Sequence, residues 1–502
     1  MKTRIRNVLL LQALFACLGW IKPGSVAGQT YTTLHNFTPG VYAAPYTSTN
    51  SDGAHPYDAL ILSGNTLYGT TAWGGSGAGG TVFAVNTDGT GFTNLYDFNA
   101  PFPSIYTNGV FPNGGLILSG NTLYGTTVQG GTPGQIGQAM VSGGGTVFCV
   151  NTDGTGFTNL ANFTPIFGPY GTNSYGFQPY AGLVLSGNTL YGTASLGGLS
   201  ANGTVFAVNT DGTDFTNLYN FTASSWPLNT NSDGAYPYAA LTISGNTLYG
   251  TADNGGASGN GTLFKINTDG TSFTTLHSFA ATTGSPATNN DGAGPTGGLI
   301  LSGNTIFGTA QQGGISGKGT IFKLNTDGTC FTNLHSFTAL SNGTNSDGAE
   351  PQDALILSGD TLYGTASEGG SLGLGTVFKV NTNGTGFATL YNFTAGSSSF
   401  PNVTAGLILS GNILYGTTVY GGDSGNGSLF SLSLGQLTVN LAGTNIILTW
   451  PTNASGFGLQ CATNLLAPSL WSAVSPAPVV VNGQNVVTNP VCGTQMFYRL
   501  SQ

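Results

Sequence analysis

Tyr57-Asp58 directly follows a proline, Tyr180 and Tyr238 take the same post-proline place, and Gln352-Asp353 fills it once more. An aromatic face packs on the C–H surface of a sugar ring while carboxylates and amides hold its hydroxyls, so this set suits a neutral glycan. A second set stands immediately before a recurring Gly-Gly pair: Trp73, Gln129, Leu196, Asn254, Gln312, Glu368 and Tyr420. Varied chemistry on a constant frame is how binding surfaces are built, although unconstrained loop tips would read the same way. Paired acids, Asp58 with Asp353 or Glu368, could serve acid–base hydrolysis of a glycoside. Nothing in their spacing brings them together, and no Gly-x-Ser-x-Gly elbow with a partnered histidine is present. No catalytic residue is assigned, and the chain reads as a non-enzyme.

The elements that must position these residues are repeats. Ser-Gly-Asn-Thr-Leu-Tyr-Gly-Thr, or a close variant, begins at Ser63, Ser119, Ser186, Ser244, Ser302, Ser358 and Ser410, a period that marks a repeat architecture. In the first unit, Leu60-Ile61-Leu62 precedes the turn Ser63-Gly64-Asn65, and Thr66 to Thr71 reads as a strand. A Gly-rich loop (74–80) leads to a third strand, Thr81 to Val85, and the turn Asn86-Thr87-Asp88-Gly89 leads to a fourth, Phe92 to Phe98. Short β-rich runs between Gly, Asn and Asp turns predict a four-stranded antiparallel meander and no helix.

Four-stranded units repeated radially make a β-propeller. Residues 30–37, Thr-Tyr-Thr-Thr-Leu-His-Asn-Phe, match a fourth strand but come before any first strand, and the seventh unit stops after its third strand, Ser428 to Leu432. One end supplies what the other omits, which closes a ring and removes both sheet edges. The expectation is an all-β chain: a seven-bladed β-propeller over 28–435, closed by an N-terminal strand. A linear β-solenoid is the competing architecture. The tail, 436–502, departs from the repeat; strand candidates at sandwich-like spacing predict a small immunoglobulin- or fibronectin-type β-sandwich.

Residues 1–27 read as a signal peptide: Lys2, Arg4 and Arg6 precede an apolar run from Val8 to Ile21, and Ser25-Val26-Ala27 offers a cleavage site after Ala27. Lipidation at Cys17 is the alternative. No later segment is long and apolar enough for a transmembrane helix. Beyond the leader, five basic residues face 18 acids, a charge of −13 that would repel nucleic acid. With 39% hydrophobic and 11% aromatic residues among 502, the chain can still pack a core. Scattered histidines and the absence of Cys-x-x-Cys spacing give a zinc site no support, and no metal or cofactor is expected. Cys461 and Cys492, close together in an exported chain, are a disulfide candidate. The recurring Asn-Thr-Asp-Gly and Asn-Ser-Asp-Gly phrases read as turns in which the carboxylate caps a backbone N–H.

The unit "LILSGNTLYGTTxxGG…GTVFAVNTDGTGFTNLYDF" resembles the GloVer (Gloeo-Verruco) tandem repeats of exported bacterial proteins, and its Gly-Gly pair after the second strand is similar to that of kelch blades. The resemblance covers about residues 30 to 434. It implies export and residence at the cell surface or outside the cell, and no activity. The favoured reading is a binding module for a carbohydrate or protein partner. Its alternatives are a structural exoprotein and a glycoside-active enzyme.

Overall fold

The computed structural model describes residues 30–434 apart from 44–46, 101–105, 137–138, 167–170, 395–402 and 404–405, and in the tail 438–442, 445–451, 458–462, 471–481, 484–490 and 496–501. The leader, its cleavage site and Cys17 lie outside the described residues. All regular structure among the described residues is β, and none of it is a helix long and apolar enough to cross a membrane. Cα packing divides the chain into two units, one spanning Thr32–Ser431 and the other carrying the strands after Leu432.

The repeats form seven four-stranded sheets among the described residues, numbered here in chain order from the unit that begins at Ile61. Sheet 3 shows the pattern: Val184–Ser186, Thr189–Ala194, Thr204–Asn209 and Thr216–Asn220, each antiparallel to the next. The second strand lies inside on both faces, with Leu190 and Ala194 fully buried. Gly192 at its centre is a close-approach site, because a Cβ there would meet Phe206 Cζ at 2.5 Å and Leu183 Cδ2 at 2.8 Å. The Leu-Tyr-Gly phrase therefore recurs because the third-strand Phe lies flat across the glycine. The fourth strand is less regular than strict alternation predicts. Its register shifts between Val205 and Phe206, which leaves Leu218 as a bulge residue packed against the neighbouring sheet.

Each sheet is joined to the next by aromatic packing. The Phe ending each fourth strand (Phe98, Phe163, Phe221, Phe279, Phe337, Phe393 and Phe37) is at most 2% exposed. Phe98 meets Phe148 of sheet 2 edge-on at 5.2 Å, and equivalent contacts continue through Phe393 on Phe430 of sheet 7 at 5.5 Å. Burying each ring contributes roughly 1.5–3 kcal/mol. Sheet 7 contains Ile408–Ser410, Ile413–Thr418 and Ser428–Ser433, and its outer strand is Thr30–Asn36 from the other end of the sequence. Phe37, which follows that strand, packs on Phe83 of sheet 1 at 5.8 Å, so the circuit returns to its start. On the inner side, the hydroxyl of Thr70 donates to Gly114 O, and those of Thr126 and Thr193 donate to Ala181 O and Ala239 O of the following sheets.

The Asn-Ser-Asp-Gly connections are latches as well as turns. Asp52 accepts from His35 Nε2 at 2.9 Å, from the Thr38 main chain and from its hydroxyl; Asp347 is held in the same way by His335 and Thr338. After sheet 4 the threonine is replaced by Ala280, and in the connection to sheet 5 Asp291 Oδ1 is buried without a donor among the described residues. Ala280→Thr is expected to raise stability by about 1 kcal/mol, read as a higher denaturant midpoint at unchanged slope. Burial alone would raise the Asp52 and Asp347 carboxyls, but hydrogen bonds from histidine and threonine outweigh it and hold both below the usual range. A depressed carboxylate stabilises above its unfolded value and loses that contribution as pH falls through its folded value. The stability gap between wild type and Asp347→Asn is therefore expected to narrow as pH drops below about 4, measured by denaturant midpoints across that range.

The tail contributes two sheets. One has the order Thr438–Ala442, Asn445–Pro451, Gln484–Pro490, Val479–Val481; the other has Ser472–Ala473, Gly458–Ala462, Phe497–Ser501. Leu448, Trp450 and Val487 of the first share a buried cluster with Leu459 of the second. The expected Cys461–Cys492 bridge falls partly outside the described residues. Strand register sets Cys461 opposite Ser472 and Tyr498, and it is a free thiol with Sγ 3.8 Å from Ser472 Oγ. Cys492 lies outside the described residues.

Candidate functional site

The first strands of the repeat sheets begin around a cavity of about 550 Å³. The post-proline residues form its wall: Tyr57, Asn113, Tyr180, Tyr238, Thr296 and Gln352 from sheets 1 to 6 in order. The proline that sets each of them down packs against a glycine of the preceding sheet, as Pro237 does on Gly203. Residues ahead of each first strand must be small here, since Ala59, Gly115, Gly182, Ala240, Gly298 and Ala354 all line the same space. Tyr180 and Tyr238 stand edge to face at 5.5 Å. Tyr57 Oη lies 3.4 Å from Tyr420 Oη. Across the ring, Gln352 Nε2 donates to Ser367 Oγ at 3.0 Å and Thr296 Oγ1 donates to Gln352 O at 3.2 Å. Tyr180 and Tyr238 are neighbours on the wall, Asn113 separates them from Tyr57, and Thr296 and Gln352 follow with hydroxyl and amide groups.

Asp58 and Asp353 share this cavity. Asp58 accepts from Ala59 N and Gly115 N, each at 2.6 Å, and Asp353 accepts from Ala354 N at 2.6 Å and from Gly406 N. Burial raises the Asp58 carboxyl against those N–H groups. Burial and then the charge of Asp58 push Asp353 well above the carboxylate range, so Asp353 is the partner that keeps a proton. Burial also raises Tyr57 and Tyr180, and lifts Tyr238 to about 12 with help from the nearby Asp253. Asp253 itself is pushed up to about 6 by burial, with its Oδ2 accepting from Asn254 Nδ2 at 2.9 Å.

The structure thus brings together Tyr57, Asp58, Tyr180, Tyr238 and Asp353, with Tyr420 beside them through its hydroxyl. Trp73, Gln129, Asn254, Gln312 and Glu368 do not line the cavity. Each bridges, main chain to main chain, to the connection that enters its sheet: Trp73 to Ala54, Gln129 to Val110, Asn254 to Ala235, Gln312 to Ala293 and Glu368 to Ala349. The backbone is fixed at these positions while the side chain varies. Trp73 packs on Phe111 at 4.4 Å, and Glu368 Oε2 lies 3.4 Å from Lys318 Nζ, which also binds Glu350 at 2.9 Å. Asn113 and Asp253 were missed in the sequence. The signal for Asp253 was available, since it is the one acid at a repeat position otherwise held by Ala72, Val128, Ser195, Gln311, Ser367 and Val419.

The repeat that builds this cavity matches the family model described as the Gloeobacter/Verrucomicrobia repeat, over residues 16–176, 137–290 and 285–445. The chain belongs to the Gloeobacter/Verrucomicrobia repeat family. Comparison with curated proteins returns no match. Among solved structures, the chain is similar to the GH74 xyloglucanase from Xanthomonas campestris at 10% identity and TM-score 0.48, over 84% of this chain and 59% of that one. An oligogalacturonate lyase in complex with manganese is similar at 10% identity and TM-score 0.43, over 81% and 98%. A protein described as the extracellular domain of a hybrid two component system from B. thetaiotaomicron is similar at 11% identity and TM-score 0.45, over 86% and 48%. Three tandem matches to one family model agree with the internal repetition of the sheets, each of which repeats the same turns. In five of the Asn-Thr-Asp-Gly turns the aspartate accepts from the N–H two residues on at 2.9 Å, as Asp88 does from Thr90.

Proposed function

We propose that the seven repeat sheets are the blades of a closed β-propeller, that 436–502 is a small β-sandwich, and that the protein, exported through its 1–27 leader, binds a small carbohydrate in the axial cavity outside the cell. The observation that carries this reading is the division of the cavity wall. Tyr57, Tyr180 and Tyr238 line it with aromatic rings, and Asn113, Thr296 and Gln352 line it with amide and hydroxyl groups. Sugar rings have that same division, with C–H faces that stack and hydroxyl edges that hydrogen-bond. The main-chain N–H groups that occupy both Asp58 and Asp353 favour binding over acid–base hydrolysis.

Glycan-array screening followed by calorimetry of the hit tests the reading. Replacing Tyr180 and Tyr238 by Ala together is expected to weaken binding by about a hundredfold, since each lost ring contact contributes on the order of 1 kcal/mol or more. Trp73→Ala, outside the cavity, is expected to leave affinity unchanged. No hit on the array, or a hit indifferent to the tyrosine pair, would remove the axial cavity from the function.

A further inference from the structure

The ring position one residue beyond the tyrosines is small in four of the sheets, at Gly114, Ala181, Ala239 and Gly297, and acidic in two, at Asp58 and Asp353. Each ties its sheet to the next, Asp58 through Gly115 N and Asp353 through Gly406 N, yet the other sheets sit in the same circuit with a small residue at this place. Each also carries a cost. Two carboxylates in one low-dielectric cavity repel, and among the described residues no Lys, Arg or His lines that cavity to offset them. Two carboxyls thus share a cavity bounded by tyrosine rings, and none of the described residues lining it offers them a cation.

Two carboxyls are too few for a divalent metal, which takes six or more oxygens, and no three His, Cys, Asp or Glu side chains converge among the described residues. An ammonium fits better: three N–H donors, one positive charge, and an affinity for aromatic faces. We infer that the axial cavity takes an amino sugar, with its ammonium on Asp58 and Asp353 and its ring against Tyr180 and Tyr238. This rests on the carbohydrate reading above and narrows it.

The protonation balance follows. The free carboxyl pair holds a proton on Asp353; an arriving ammonium replaces that charge, and the proton leaves to solvent. Affinity for an amino sugar therefore rises with pH as the pair gives up its proton, whereas a neutral sugar that accepts a hydrogen bond from protonated Asp353 loses affinity. The other titratable groups facing the site are Tyr57, Tyr180 and Tyr238, which stay neutral, and Asp253 beside Tyr238, whose ionisation reinforces the preference for a cation. His55, near Tyr420, is hydrogen-bonded to Val419 O, and burial lowers its pKa against that bond.

Calorimetric titration of the full chain with the β-1,4-linked glucosamine disaccharide and with cellobiose, at steps between about pH 5 and pH 7, tests the inference. The glucosamine disaccharide is expected to bind about tenfold more tightly than cellobiose at the upper end, the preference shrinking toward the lower end. Titration in two buffers of different ionisation enthalpy should show proton release with the amine only, a readout that needs no variant. Asp353→Asn, checked for an unchanged melting temperature, should remove most of the preference. Equal binding of the two disaccharides without proton release would overturn the amino-sugar inference and leave the carbohydrate reading standing. Failure of both to bind would overturn the two together.

Discussion

Deletion of Thr30–Phe37 is expected to abolish soluble folding, although it removes only one strand and the residue after it. That strand is the outer member of sheet 7, beside Ser428–Ser433, and Phe37 N donates to Gly427 O at 3.2 Å. Without it, Ser428–Ser433 becomes a free edge and the aromatic circuit opens between sheets 7 and 1, where Phe37 packs with Leu60, Leu67, Phe83 and Leu429. An exposed edge over an uncovered apolar face favours intermolecular pairing. Phe37→Ala is the graded version, expected to cost about 3–5 kcal/mol as a cavity at a site with 1% exposure. Urea unfolding of the point variant and the soluble yield of the deletion measure the two. Wild-type stability in both would mean that the ring is not held closed at this seam.

Gly203→Ala is expected to lose about 3 kcal/mol, more than a surface glycine can account for. Its φ is +96°, and a Cβ would meet Pro237 Cδ at 2.5 Å and Ala194 O at 2.6 Å. The clash is with backbone and with the proline that positions Tyr238, so it cannot be relieved by turning a side chain. Gly187→Ala is the control. Its φ is +58°, with nothing within 4 Å of the added atom, which leaves only the strain of a left-handed residue, about 1 kcal/mol. Thermal unfolding of the two variants separates packing from conformational strain, and equal losses would show that Pro237 yields. Because Pro237 precedes Tyr238, the Gly203 variant should also weaken any ligand that depends on the tyrosine pair.

Much of this was legible in the chain. Repetition of Leu-Tyr-Gly at a fixed place, six times and once as Ile306-Phe307-Gly308, pointed to four short strands and the turns between them, because a phrase kept so often has one local structure to serve. The unmatched strand at 30–37 and the unit lacking its fourth strand pointed to a closed ring. Strand four was harder to read. Its Leu and Phe are three residues apart and would face opposite sides under strict alternation, and the bulge at Leu218 lets both reach the neighbouring sheet. The Gly-Gly loops were read as ending where the third strand starts, at Thr81, yet in sheet 1 the strand begins at Ala78. Gly77 and Gly79 lie so close to the Phe98 carbonyl that the loop is drawn into the sheet. The variable residues before Gly-Gly drew attention because they differ, but difference marks only freedom from the core. Apart from Tyr420, whose hydroxyl lies beside Tyr57, these residues do not line the cavity and their backbones are bridged.

Local strand, turn and repeat count are set by near neighbours in the chain, so residue order alone decided them, along with the acidity that disfavours nucleic acid. Which side chains share a space was decided by the circle. Asp58 and Asp353 are nearly three hundred positions apart in sequence, and only the packing of the sheets buries Asp353 and lets the charge of Asp58 add to the rise that burial causes. Asp291 shows the same dependence in reverse: its phrase differs from that of Asp52 and Asp347 only by Asn290 for Ser, and a single alanine at 280, meeting it only in the folded structure, leaves its oxygen without the hydroxyl the others have. Pairing energies of buried groups depend on distance and dielectric, and neither exists until the sheets have packed.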